Sequence, residues 1–144
     1  MSDDARRELL RAVLDTLLPA GDGFPTAGAV ALDHVRAMAD AHAELAAALG
    51  RVLSAVDDAA DAATFAALDA DARETLLRGV EARQPDDFGA LVRQTYFGYY
   101  GHPTVVARLG LEPGPVHPRG HRLEVLEMPD LAHIIARGPV YRAV

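Results

Sequence analysis

Glu8-Leu9-Leu10-Arg11-Ala12-Val13-Leu14-Asp15-Thr16-Leu17-Leu18 is the stretch whose reading decides the fold class. Its apolar residues Leu9, Leu10, Val13, Leu14, Leu17 and Leu18 recur three and four positions apart. They therefore share one broad helical face, with Glu8, Arg11 and Asp15 on the other. Ser2 is placed to cap the first turn, and Asp3 and Asp4 suit the positive end of the helix dipole. Pro19 stops the helix. The run Pro19-Ala20-Gly21-Asp22-Gly23-Phe24-Pro25 reads as a tight loop in which Phe24 is the residue worth burying.

Outward from there, residues 26–61 are almost all helix formers, anchored by Val30, Met38, Leu45, Leu49, Val52, Leu53 and Val56. Gly50 either divides this stretch into two helices or sits inside one at a cost of about 1 kcal/mol. Phe65 and Leu68 supply packing, and Asp69 is a natural N-cap for a helix carrying Leu76, Leu77 and Val80. Gln84-Pro85 opens another helix, since proline suits the first helical position, and it runs to about Tyr100. A short helix from Pro103 to Leu109 ends at Gly110. Glu112 to Gly120 holds too much proline for a helix or a central strand. Arg122 to Met128 is at most an extended edge, and Pro129 to Arg137 forms a last helix. No internal repeat and no alternating strand of useful length is present. The expected fold is all-α: an irregular helical bundle of five to seven helices over 1–110, with a proline-rich, largely irregular arm over 111–144 packed on the same domain.

Composition removes whole classes of chemistry. The 144 residues include no Cys, which excludes disulfides, cysteine-based zinc sites, thiol catalysis and iron–sulfur ligation. All 14 basic residues are Arg, so lysine Schiff-base chemistry and a Walker-type phosphate loop are excluded as well. A net charge of −7 disfavours nucleic-acid backbones and anionic membranes as partners. No stretch reaches the roughly 18 apolar residues of a membrane span. Arg6-Arg7 invites a twin-arginine export reading, but charges interrupt the would-be apolar core that follows. A cytoplasmic location is the expectation, with co-export alongside a partner left open.

The histidines are the candidate ligands or bases. His34 and His42, eight apart in a helical stretch, share a face two turns apart, too far for one metal ion, and read as packed or surface side chains. His117 and His121 are four apart, but Pro118 and Gly120 break the helix that would bring them together. A loop site joining them to His102 or His133 is a minority reading. The acidic residues Asp57, Asp58, Asp61, Asp69, Asp71 and Glu74 read as a solvated face with two helix ends. No His-Glu-x-x-His, Gly-x-Ser-x-Gly or Gly-x-Gly-x-x-Gly occurs, and no serine or threonine beyond position 70 stands in a nucleophile-like context. No catalytic, cofactor-binding or metal residue is assigned.

Tyr96-Phe97-Gly98-Tyr99-Tyr100 is the most informative local feature. On a helical wheel Phe88, Leu91, Val92, Thr95, Tyr96 and Tyr99 form the core stripe, with Phe97 opposite and Tyr100 about 120° away. Two large aromatics off the stripe need a second neighbour, inside the domain or on another protein.

Three ordered groups of residues carry a resemblance. Leu14-Asp15-Thr16-Leu17-Leu18-Pro19-Ala20 with Phe24-Pro25-Thr26-Ala27 comes first. Phe88 to Thr95 with Gly98-Tyr99-Tyr100-Gly101-His102-Pro103 is the second. Leu109-Gly110-Leu111 with Gly114-Pro115 and Pro118-Arg119-Gly120-His121 is the third. Over residues 9–121 the chain resembles the gluconate 2-dehydrogenase subunit 3 family. The resemblance implies a small, non-catalytic helical subunit of an FAD-dependent oxidoreductase of the glucose–methanol–choline type, acting on a sugar or sugar acid. The FAD belongs to the large subunit, some complexes add a cytochrome, and the small subunit helps the large one mature. In exported complexes it often brings the export signal, a pattern from which this sequence departs. Joined to the wheel, this reading places the partner interface at Phe97, Tyr99, Tyr100, His102, Pro118, Arg119 and His121. The alternatives are a self-associating helical domain without a flavoprotein partner and a metal-dependent protein built on His102, His117, His121 and His133.

Overall fold

Helix α1, Asp3–Leu17, begins where the Ser2 side chain accepts the Ala5 N–H, with Asp3 and Asp4 in its first turn. It buries Leu9, Leu10, Ala12, Val13 and Leu14. The computed structural model describes residues 2–60, 64–111 and 132–138. After α1 the chain turns back through Gly21–Phe24, where Asp22 (φ 50°) and Gly23 (φ 79°) both take positive φ. Two consecutive residues of that kind are what a type I′ reversal demands, and the Asp-Gly pair suits it.

Residues 26–60 then form three helices: α2 at Ala27–Val30, α3 at Leu32–Ala41 and α4 at Ala43–Ala60. The breaks fall at Ala31 and at His42, which is extended (φ −133°, ψ 105°), and not at Gly50. Gly50 lies inside α4, where a Cβ would stand 3.2 Å from Nη2 of Arg6. Its missing side chain makes room for an arginine of α1. The extra breaks are why eight α-helices occur among the described residues where five to seven were expected. Neither break carries a glycine or proline.

A single 3-10 turn, Phe65–Ala67, buries Phe65. Asp69 caps α5, Ala70–Arg83, by accepting the Ala72 N–H at 2.8 Å. Pro85 opens α6, Pro85–Gly101, and Pro103 opens α7, Pro103–Arg108, followed by Gly110 at φ 75°. The chain divides into two compact units, residues 1–113 and 114–144. In the second unit the described element is α8, Ala132–Arg137, closed by Gly138 at φ 69°. No strand occurs among the described residues, and the all-α expectation holds. Pro118, Arg119, His117, His121 and the Arg122–Met128 edge lie outside the described residues.

In the first unit, α6 packs against α3, α4, α5 and α7 around Leu14, Val35, Val52, Leu53, Val56, Val80, Leu91 and Val105. α3 and α6 come close together at Gly98, where a Cβ would sit 2.9 Å from Cβ of His34 and 3.1 Å from that of Ala31. Gly98→Ala should therefore destabilise the domain by about 1–3 kcal/mol, because two backbones must separate to admit one methyl group. Gly89 of the same helix has nothing within 4 Å of its Cβ position. Gly89→Ala should stabilise by about 0.5–1 kcal/mol. Paired thermal melts check both signs.

Candidate partner-docking surface

Helix α6 is held at both ends and along its length. Near its N-terminus Asp87 receives two bonds of 2.7 Å from the Arg51 guanidinium of α4. Those bonds, outweighing partial desolvation, hold the Asp87 carboxyl below the usual carboxylate range. In the middle, His34 Nε2 on α3 meets Gln94 Oε1 at 3.1 Å. Toward the C-terminus the Tyr99 hydroxyl donates to the Pro25 carbonyl at 2.9 Å. Tyr99 is only 5% exposed. Burial first, and the neighbouring Tyr100 second, raise its phenol above its ordinary value.

The last two turns of α6 present three large aromatics to solvent. Tyr96 is 46% exposed, Phe97 60% and Tyr100 51%. Positions 96, 97 and 100 occupy one side of the last two turns. Tyr96 and Tyr100 have ring centroids 6.0 Å apart, and Tyr100 meets buried Tyr99 edge-on at 5.2 Å. Such T-shaped packing fixes a ring that would otherwise swing in solvent. Leu109 and Leu111, just past α7, are exposed too.

The structure thus leaves Phe97 and Tyr100 in solvent and corrects two neighbours. Tyr99, grouped with the interface in the sequence, faces the interior and bonds to Pro25. Tyr96, expected in the core stripe, stands at its solvent edge. His102 is half-buried and caps α7, its Nδ1 accepting the Thr104 N–H at 3.3 Å. Pro118, Arg119 and His121 are outside the described residues, so the described surface consists of the α6 aromatics and the leucines after α7.

His34 and His42 do not share a helical face. His34 packs between α3 and α6, whereas His42 ends α3 and is exposed. No three His, Asp or Glu side chains group as a metal site among the described residues. Asp57, Asp58, Asp69 and Asp71 are exposed, and Glu74 pairs with Arg78. No helix among the described residues is long and apolar enough to cross a membrane.

The sequence reading also missed Asp15. Placed on the polar face of α1, it is half-buried, and its Oδ1 accepts the Gly28 N–H at 2.8 Å. Asp15, Pro25, Gly28, Gly98 and Tyr99 therefore join two distant stretches of chain through hydrogen bonds and close backbone approach. A family model, Gluconate 2-dehydrogenase subunit 3, matches residues 4–113. The chain belongs to the gluconate 2-dehydrogenase subunit 3 family. No curated protein and no solved structure matched it. The match stops within the third of the three resembling segments, and the first two fall wholly inside it. In this family member those two segments meet through the Tyr99–Pro25 bond.

Tyr99→Phe should cost about 1–2 kcal/mol, since it strips the Pro25 carbonyl of its donor. It should also change the alkaline limb. A phenol raised in the folded state stabilises in full below pH about 10, and that contribution is lost as pH climbs through the higher folded value. With no Lys and no Cys in the chain, phenols dominate this window. Denaturation curves from pH 9 to 12 should therefore fall less steeply for Tyr99→Phe than for the wild type.

Proposed function

We propose that this chain is a non-catalytic subunit that binds and stabilises an FAD-dependent oxidoreductase of the glucose–methanol–choline type, acting on a sugar or sugar acid. Membership of a family of dehydrogenase subunits supports an oxidoreductase partner. The single observation that carries the reading is the exposed row Tyr96, Phe97 and Tyr100 on a helix braced along its length. Exposed aromatics in a contiguous patch mark an interaction site, and aromatic anchors typically dominate interface energetics. Arg93, also exposed one turn earlier, adds a planar donor fork of the kind enriched at such interfaces. In this reading the FAD and the chemistry reside in the large subunit, and this chain contributes folding and maturation.

Co-expression with the large subunit should give a co-purifying yellow complex. A large subunit equally soluble, flavin-loaded and active alone overturns the reading. Phe97→Ala and Tyr100→Ala should each weaken the complex by roughly 30-fold, the equivalent of about 2 kcal/mol at an anchor. Circular dichroism of each free variant should remain helical, because neither ring lies in the core. If the isolated chain instead sediments as a stable homo-oligomer that these substitutions disperse, the face belongs to a second copy.

A further inference from the structure

The Arg6-Arg7 pair has no part in the docking face. Both residues lie in the first turns of α1 and, with Arg36 of α3, edge a cleft of about 240 Å³ between α1, α3 and α4. Its floor is apolar: Leu10, Ala39, Leu49 and Leu53 are buried there. Asp3 and Asp40 also stand at its rim. Arg36 reaches Asp3 at 3.4 Å, but the Asp3 side chain is 81% exposed, so this pair is weakly held. Neither Arg6 nor Arg7 makes an ion pair among the described residues. Arg6 also borders the neighbouring cleft, where Gly50 of α4 leaves room for its guanidinium.

In a chain of net charge −7, this cleft is lined by three arginines against two aspartates, of which Asp3 is largely exposed. A guanidinium fork matches a carboxylate in two parallel bonds, and the leucine floor shields an apolar body from water. The volume is smaller than the roughly 300–1,000 Å³ of sites for drug-sized molecules. We propose that the α1–α3–α4 cleft binds a small organic monocarboxylate with a compact apolar body, its carboxylate taken by Arg36 and Arg6 in exchange for Asp3. None of these residues belongs to the aromatic row, so the site stands independently of the partner reading.

The test is an amide NMR titration of the full chain with benzoate, with neutral benzamide and inorganic phosphate in parallel. Benzoate should shift the Leu10, Ala39, Leu49 and Leu53 amides saturably, and benzamide should bind at least about tenfold more weakly. Arg36→Gln and Arg6→Gln, each confirmed as folded by circular dichroism, should each weaken benzoate about tenfold. Should Arg36→Gln fail to fold, Arg6→Gln decides. The proposal is overturned if benzoate gives no saturable shift, if benzamide binds equally well, or if phosphate matches benzoate. Unchanged affinity in both variants also overturns it.

Discussion

The clasp between the Asp15 carboxylate and the Gly28 N–H sets the α1–α2 corner on which α6 comes to rest. A helix of four residues has almost no hydrogen bonds of its own, so α2 forms only if its leading N–H groups are satisfied from outside. They are: Ala27 donates to the Leu18 carbonyl, Gly28 to Asp15, and Ala29 to the Thr26 hydroxyl. Asp15 thus caps a second helix from the body of the first. The approach is close enough that a Cβ on Gly28 would press on the Arg11 carbonyl at 2.8 Å. Glycine at that position is the condition for the bond.

With α2 fixed, the loop before it is fixed as well, and Pro25 presents its carbonyl to Tyr99. A carbonyl of the α1–α2 loop thereby satisfies a hydroxyl at the far end of α6. Between them, Gly98 lets α6 settle directly on Ala31 and His34. The ion pair Arg51–Asp87 secures the other end, with the Asp87 side chain 22% exposed against 57% for Arg51. That pair persists above the ordinary carboxylate range and is lost only as pH falls through the depressed Asp87 value.

What was legible in the sequence was local. Ser2, Asp69, Pro85 and Gly110 mark helix ends through their own backbone and side-chain chemistry, and each does so here. The breaks at Ala31 and His42 have no such marker, because both residues tolerate a helix and it is tertiary packing that turns the chain. Gly50, a nominal breaker, stays helical because α4 is anchored by Leu49, Val52, Leu53 and Val56 on its buried face. The wheel gave α6's buried direction correctly for Phe88, Leu91, Thr95 and Tyr99. It misplaced Tyr96, since a wheel gives an angle and not where the neighbouring helices stop. Asp15 was hidden for a related reason: a carboxylate on a polar face looks solvated until the partner N–H, thirteen residues on, is folded against it.

These polar ties also order the helix that carries the exposed aromatics. Ordering side chains on association costs free energy, and a surface already ordered loses less. Tyr100 is held edge-on by Tyr99, which is itself tethered to Pro25. The helix beneath is fixed along its length by Asp87, Gln94 and Gly98. In the proposed role, a face that is ordered before the partner arrives loses less on docking. Here the helix under those aromatics is held by Asp87, Gln94, Gly98 and the buried Tyr99 phenol, and the Asp15–Gly28 bond sets the loop that Tyr99 reaches.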